Sequence, residues 1–517
     1  MFNFLKNKSK YFIPSLSHIL FLTLFLLLSF SQGKSLLNDG DTGYHIRAGE
    51  YILDTFSIPR HDIFSFLTPP LPWTAHEWLS EVIMALIHRA SGLTGIVIFF
   101  ALLISIVYYL LLKVIQKERG NILFAILILL WILAFSQLHW LARPHIFSLL
   151  LVVVWYYLLD AFEYRQKNYL YLLPPIMLLW VNLHGGFISG FILIGIYLSG
   201  NFVRFFFSKG EERILYKKKT RLLGLTTTFC LLASLINPYS YRILLFPFKL
   251  VSEKFLMDHV MEFLSPNFHE LGAMFFKYLL LSMILIISIS KRHLNIIEIV
   301  LIIAFTNMAL YGVRFITLFG IVVAPILARQ LEQMLNQKKG RFKEFLQKRS
   351  NNITSIDASA RGYVWPVAAV LTVIVFAATG RIEYRFDENK KPVAAVEFLK
   401  REFIKGNMFN NDEFGDYIIY SAYPQYKVFV DGRLDMYGSD RIKEYYKVIN
   451  FKPGWEEIIE KYSIKWIIFD ADSTLSRFLK EKKEWRLIYT DKVASIFVRN
   501  IPENFDLIKK YHYQTPQ

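Results

Sequence analysis

Long runs without a charged residue constrain this chain more than any motif does. Leu20 to Phe30, Ile122 to Phe135 and Val364 to Ala378 are examples. A backbone in hydrocarbon must satisfy every amide within its own helix, so such runs read as membrane-spanning helices. Composition agrees. The chain is 54% hydrophobic and 16% aromatic, and only 20% of its 517 residues are charged, a balance foreign to soluble proteins of this length.

The formal net charge of +17 would suit nucleic acid, but the distribution argues against it. The cations cluster in short loops between apolar runs, as the positive-inside rule expects. The single cysteine, Cys230, rules out an intrachain disulfide and a cysteine metal cluster. The apolar run behind Lys6, Lys8 and Lys10 resembles a signal peptide, but its length favours an uncleaved first span.

With ~20 residues per crossing, the pattern gives about eleven spans and a cytoplasmic N-terminus. The first covers about 12–32 and opens into a long outer segment, about 33–93. Its last part, 77–91, reads as an outer helix leading into span two, about 94–115. Spans follow at about 121–138, 146–162, 168–183, 187–206 and 222–236. A second outer segment runs from 237 to about 276. After span eight, spans lie at about 294–310, 315–330 and 362–380. The basic groups at Lys113 to Arg119, Arg165 to Lys167, Arg213 to Arg221, Lys291 to Arg292 and Lys338 to Arg349 then all fall inside. Residues 1–387 are then the expected transmembrane domain. Residues 388–517 read as an extracytoplasmic α/β domain, because Val428-Phe-Val430 and Trp466-Ile-Ile-Phe469 look like buried strands. Leu487 to Tyr489 and Val493 to Val498 look like a closing hairpin.

Polar chemistry gathers on the outer side of this topology. Asp39 to Glu50 packs carboxylates, His45 and Arg47 into about three helical turns. A carboxylate there can serve as general base for an acceptor hydroxyl. Asp39 and Asp41, spaced by one residue, are alternatively a ligand pair for a divalent cation such as Mg or Mn. The bland reading makes Asp39 a helix cap. A second cluster, Pro72 to Glu81, holds His76 and Glu77 between Trp73 and Trp78. It reads equally well as an interfacial capped helix. Arg143, His145, His184, Arg242, Glu262 and Arg314 occupy other outer turns. Ionisable groups at membrane depth face a cavity or a partner, and the arginines suit a phosphate. No His-x-x-x-His pair supports zinc. No Walker loop or dinucleotide fingerprint is present, so transfer chemistry has to draw on a donor activated elsewhere.

Several of these stretches carry a resemblance: Asp39-Gly-Asp-Thr-Gly-Tyr-His-Ile-Arg-Ala-Gly-Glu50, Pro59-Arg-His-Asp-Ile-Phe-Ser65, Pro72-Trp-Thr-Ala-His-Glu-Trp78, Asn182-Leu-His-Gly-Gly-Phe187, Asn237-Pro-Tyr-Ser-Tyr-Arg242 and Val428-Phe-Val-Asp-Gly-Arg433. The chain resembles the GT-C superfamily of polytopic glycosyltransferases, near the dolichyl-phosphate-mannose mannosyltransferases and lipid A arabinosyltransferases. The resemblance implies a GT-C-like helical membrane fold, a bacterial inner membrane as its location and a donor sugar carried on polyprenyl phosphate. The acceptor, glycan, lipid or protein, is left open. It implies Asp41 as the loop carboxylate, Asp39 as its neighbour and Glu77 as a second acidic group, with metal dependence undecided.

The expectation is therefore an inverting glycosyltransferase of the outer face, with Asp41 as base and Arg242 or Arg314 beside the leaving phosphate. His45, Arg47, His76, Arg143, His145 and His184 would complete the binding surface. A transporter or envelope scaffold is the rival. A transporter needs broken spans in two related halves, for which Pro174-Pro175 and Gly185-Gly186 are the candidates. A scaffold would leave Asp41, Glu77 and Arg314 apart. Asp431 and Arg433 in the C-terminal domain follow a strand, a place for either acceptor binding or a plain turn.

Overall fold

The computed structural model describes residues 11–117, 121–337 and 339–511. The expected topology markers Lys6, Lys8, Lys10, Arg119 and Lys338 lie outside the described residues. Every apolar run read as a span is helical. Among the described residues, six helices are long and apolar enough to cross a membrane: Trp78–Gln116, Ile122–His139, His145–Arg165, Gly185–Phe207, Leu271–Ile289 and Val313–Gln337. A seventh arises if Arg341–Ser359 and Val364–Ala378, bent by 68°, count as one.

The expected eleven is thus not what helix length gives. Leu16–Ser31, Leu170–Leu183 and Ile296–Tyr311 are apolar but shorter, and at ~1.5 Å per residue they fall short of a full hydrocarbon core. The run at 222–236 is the second half of one helix, Gly210–Ser234. The first half of that helix carries Arg213, Lys217, Lys218, Lys219 and Arg221.

Trp78–Gln116 is continuous except at Gly92, whose φ of 60° and ψ of −158° break the helix. Only glycine adopts this backbone without strain. The break separates residues 78–91, which carry His88 and Arg89, from residues 93–112, which carry no charge. It falls where the outer helix was expected to meet span two.

The C-terminal segment forms a four-stranded sheet ordered β1-β2-β4-β3. The strands are β1 (Asn407–Asn410), β2 (Ile464–Asp470), β3 (Trp485–Thr490) and β4 (Ala494–Arg499). β1 runs parallel to β2, while β4 is antiparallel to both β2 and β3. The expected hairpin and central strand are present. Val428–Val430 is different: it is buried and extended, yet joins no sheet ladder. Asn410 takes the role of a neighbouring strand there, accepting from Phe429 N–H at 2.8 Å and donating to Val430 O at 2.7 Å. On its other side the segment meets the loop before the long helix, through Val428 N to Phe64 O at 3.1 Å and a bridge to Ser65. A side-chain amide satisfies the backbone, so no ladder is needed.

That exchange ties the C-terminal segment to the loop of residues 33–77. Arg433 donates to Asp431 at 2.6 Å and to Asp62 at 2.8 Å, and Tyr437 O–H donates to Asp431 at 2.7 Å. The guanidinium lies over Trp73 at 4.5 Å and Phe64 at 4.9 Å. Asp431 and Arg433 are therefore occupied in a buried pin. Arg47 donates to Tyr420 O at 2.7 Å, and a Cβ on Gly43 would stand 2.6 Å from Asp416 O. The apolar core accordingly runs without interruption from the helices into this segment.

Candidate active site

The Asp39-Gly-Asp turn places two carboxylates side by side. Asp39 accepts from Asp41 N–H at 2.9 Å. Asp41 holds the cap position of the Thr42–Thr55 helix, but its side chain caps nothing. It is turned instead toward Arg143, at 2.5 Å. The turn carrying Arg143 is fixed to the same region, since Ala142 N donates to Leu36 O at 2.8 Å and Thr42 O–H to Ala142 O at 3.2 Å. Arg143 also donates to Asp39 at 2.8 Å and pairs with Glu262. One guanidinium thus gathers carboxylates from two distant parts of the chain.

Glu77 heads the Trp78–Gln116 helix. Its surroundings follow from two hydrogen bonds made in the first turn: Trp78 Nε1 to Asn182 Oδ1 at 2.9 Å and Ser80 Oγ to Leu183 O at 2.6 Å. These bring His184 Nε2 to 3.3 Å from Glu77. Gly186 N–H donates to His184 Nδ1 at 2.9 Å, so the neutral ring carries its hydrogen on Nε2, toward Glu77. His45 stands 3.6 Å and His76 3.7 Å from the same carboxyl. The other nitrogen of His45 meets Glu81 at 3.2 Å. His145 donates to His139 O, and His139 to Val313 O, both at 2.9 Å. Arg314 lies over Phe263 at 4.8 Å, beside Glu262.

Electrostatics unite these groups. Burial pushes Asp41 well above the ordinary carboxylate range, with Arg143 opposing and Asp39 adding to the rise. Glu77 is raised by burial, against the pull of His76 and Arg143. Arg143 holds Glu262 far down. Burial, followed by the field of Arg143, keeps His45 neutral well below its usual value. His184 is lowered by burial in the same way.

The structure brings Asp39, Asp41, Glu77, His45, His76, Arg143, His145, His184 and Arg314 to one end of the helices. Arg47 and Arg242 form no ion pair with these carboxylates among the described residues. Arg47 pairs with Glu50 at 2.5 Å and Tyr420, and Arg242 is exposed at the start of Arg242–Ser252. Tyr239, from the same motif as Arg242, instead accepts from Ala75 N at 2.8 Å.

Sequence reasoning missed Asp416. It lies on the Asp412–Ala422 helix, and its carboxyl accepts from Gly432 N–H at 3.0 Å. A Cβ built on Gly432 would stand 2.2 Å from Asp41 Oδ1 and 3.0 Å from Asp416 Oδ2. The two carboxylates therefore share the space around one glycine methylene. Burial and then the charge of Asp41 raise Asp416 well above its usual range. A buried carboxylate among Phe414, Tyr417 and Ile418 was the available signal.

Among the described residues, no group of three or more His, Cys, Asp or Glu side chains is arranged to hold a metal ion. The pair expected to do so, Asp39 and Asp41, turns its oxygens onto Arg143.

No protein-family model matches the chain, and no curated protein matches it in sequence. Solved structures do match. The oligosaccharyltransferase of Archaeoglobus fulgidus, in its apo form, aligns with a TM-score of 0.54 at 12% identity, covering 93% of this chain and 74% of that one. ArnT from Cupriavidus metallidurans, bound to undecaprenyl phosphate, aligns with a TM-score of 0.49 at 11% identity, covering 96% and 99%. The first likeness is one of fold.

Proposed function

We propose that this chain is a membrane glycosyltransferase. It transfers a sugar from a polyprenyl-phosphate-linked donor to an acceptor hydroxyl at the outer face of the membrane. The observation that carries the reading is the position of Asp41: a buried carboxylate, held by Arg143, at one end of a bundle with an oligosaccharyltransferase-like fold. Fold alone does not assign activity; the convergence of base and cations at one centre supports it.

In this reading Asp41 takes the proton of the acceptor hydroxyl as the oxygen attacks the anomeric carbon. The bond from that carbon to the phosphate oxygen breaks, and polyprenyl phosphate leaves with both electrons. Arg314 stands at the centre with no carboxylate within ion-pair distance among the described residues, and its charge offsets the negative charge that develops on the leaving oxygen. The lipid tail lies between helices. Glu77, with His184 donating to it and His45 and His76 alongside, orients the acceptor. A scaffold would have left Asp41, Glu77 and Arg314 apart, whereas all three gather at one end.

The test is transfer by purified protein in lipid nanodiscs, with a panel of radiolabelled polyprenyl-phosphate sugars and membrane-derived acceptors. Wild-type protein is expected to transfer from at least one donor, and Asp41→Asn to lose at least ~100-fold. Folded wild-type protein that transfers from no lipid-phosphate sugar would overturn the reading.

A further inference from the structure

We infer that Arg143 is the resident cation of this centre, standing where a divalent metal would otherwise be held. The guanidinium is 2.8 Å from Asp39 and 2.5 Å from Asp41, and it pairs with Glu262 as well. Asp39, Asp41 and Glu262 ring the guanidinium and as they stand are not arranged to ligate an ion, because the guanidinium fills the space where their oxygens would have to meet one at ~2.0–2.6 Å. That group stays positive at every working pH and offers its donors in a fixed plane.

Two neighbouring groups are committed too. The space between Asp41 and Asp416 holds the methylene of Gly432. His184 Nδ1 accepts from Gly186 N–H. Anchoring of the Arg143 turn to Leu36 and Thr42 keeps the guanidinium from swinging away.

The resulting prediction concerns cation binding. Its bearing on catalysis rests on the proposed transfer reaction, but the binding itself does not. The full chain in nanodiscs is titrated with Mn2+ after EDTA treatment. Electron paramagnetic resonance reads free Mn2+, and thermal unfolding reads stabilisation. Wild-type protein is expected to bind no Mn2+ at micromolar concentration. Arg143→Ala frees three carboxylates and is expected to gain at least ~10-fold in Mn2+ affinity, with a rise in Tm on adding the ion. Should that variant not fold, Arg143→Gln keeps most of the volume and is read the same way. Stoichiometric Mn2+ binding by wild-type protein at micromolar concentration overturns the inference, and so does a folded Arg143 variant that gains no affinity. Neither readout needs a sugar donor, so a failure of the transfer reading leaves this test intact.

Discussion

The same helices carry a charged cluster at each end, and the two clusters are built differently. His145–Arg165 is ~30 Å long. Its first residue stands at the Asp41 centre and its last at the opposite end. There Glu163 meets Arg204 at 2.7 Å, Lys219 at 2.9 Å and Asn201 at 2.8 Å. Glu298 meets Arg292 at 2.8 Å and Arg329 at 3.1 Å. Asp160 meets Arg329 at 3.1 Å and Arg165 at 3.3 Å. Each buried carboxylate has at least two cations. At the Asp41 end the ratio is reversed: Asp39, Asp41 and Glu262 share Arg143, while Glu77 is surrounded by histidines and Asp416 has a single backbone donor. A compensated cluster clamps helix ends together. An uncompensated one holds buried negative charge that folding alone does not need. Under the proposed function, the difference marks the end assigned to the chemistry.

The largest expected effect tests the compensated end. Glu163→Ala strands Arg204 and Lys219 in a buried setting, which costs about 3–5 kcal/mol. Thermal unfolding and size-exclusion profiles of the purified protein should show a large loss of stability. A variant as stable as the parent would remove the structural role from that end.

Next in size is Asp41→Asn. It should lower transfer by at least ~100-fold and leave Tm close to the parent's, because it removes a charge that burial disfavours. Burial raises Asp41, and a base works only when ionised. Transfer by the parent should therefore fall as pH drops through a value above the ordinary carboxylate range, as a rate–pH profile would read.

Asp416→Asn sharpens the same point through stability. Burial and the charge of Asp41 raise Asp416, so the folded protein holds this proton more tightly than the unfolded chain does. That contribution is complete below the unfolded value and is lost as pH rises through the folded one. The asparagine variant does not ionise. It should unfold at a higher temperature than the parent at neutral pH, with the gap closing in acid.

The smallest effect is a control on the surface. Glu397 and Lys400 pair at 2.8 Å in the open, and Glu397→Ala should change stability by at most ~0.5 kcal/mol.

Much of the layout was legible in the sequence. Apolar runs marked every helix that could enter a membrane, and the charges of His88 and Arg89 set residues 78–91 apart from the span that follows. The resemblance singled out Asp41 and Glu77, while Arg143 and His184 were two among several ionisable groups in the outer turns. Other parts depended on partners far away in the chain. Arg47 and Arg242 looked equal to Arg143 as phosphate ligands, but Tyr420 and Glu50 occupy the first, and the second is exposed. Val428-Phe-Val430 had the pattern of a strand, and only the Asn410 side chain explains why it joins no ladder.

The sequence by itself determined a helical membrane protein with carboxylates beside its first apolar run, because hydropathy and spacing act locally along the chain. Only the tertiary structure decided that Asp41 faces Asp416 across Gly432 and that one guanidinium gathers Asp39, Asp41 and Glu262. The physical reason is that charge balance is a property of space. Whether a buried carboxylate is neutralised or left reactive depends on which distant residues fold against it.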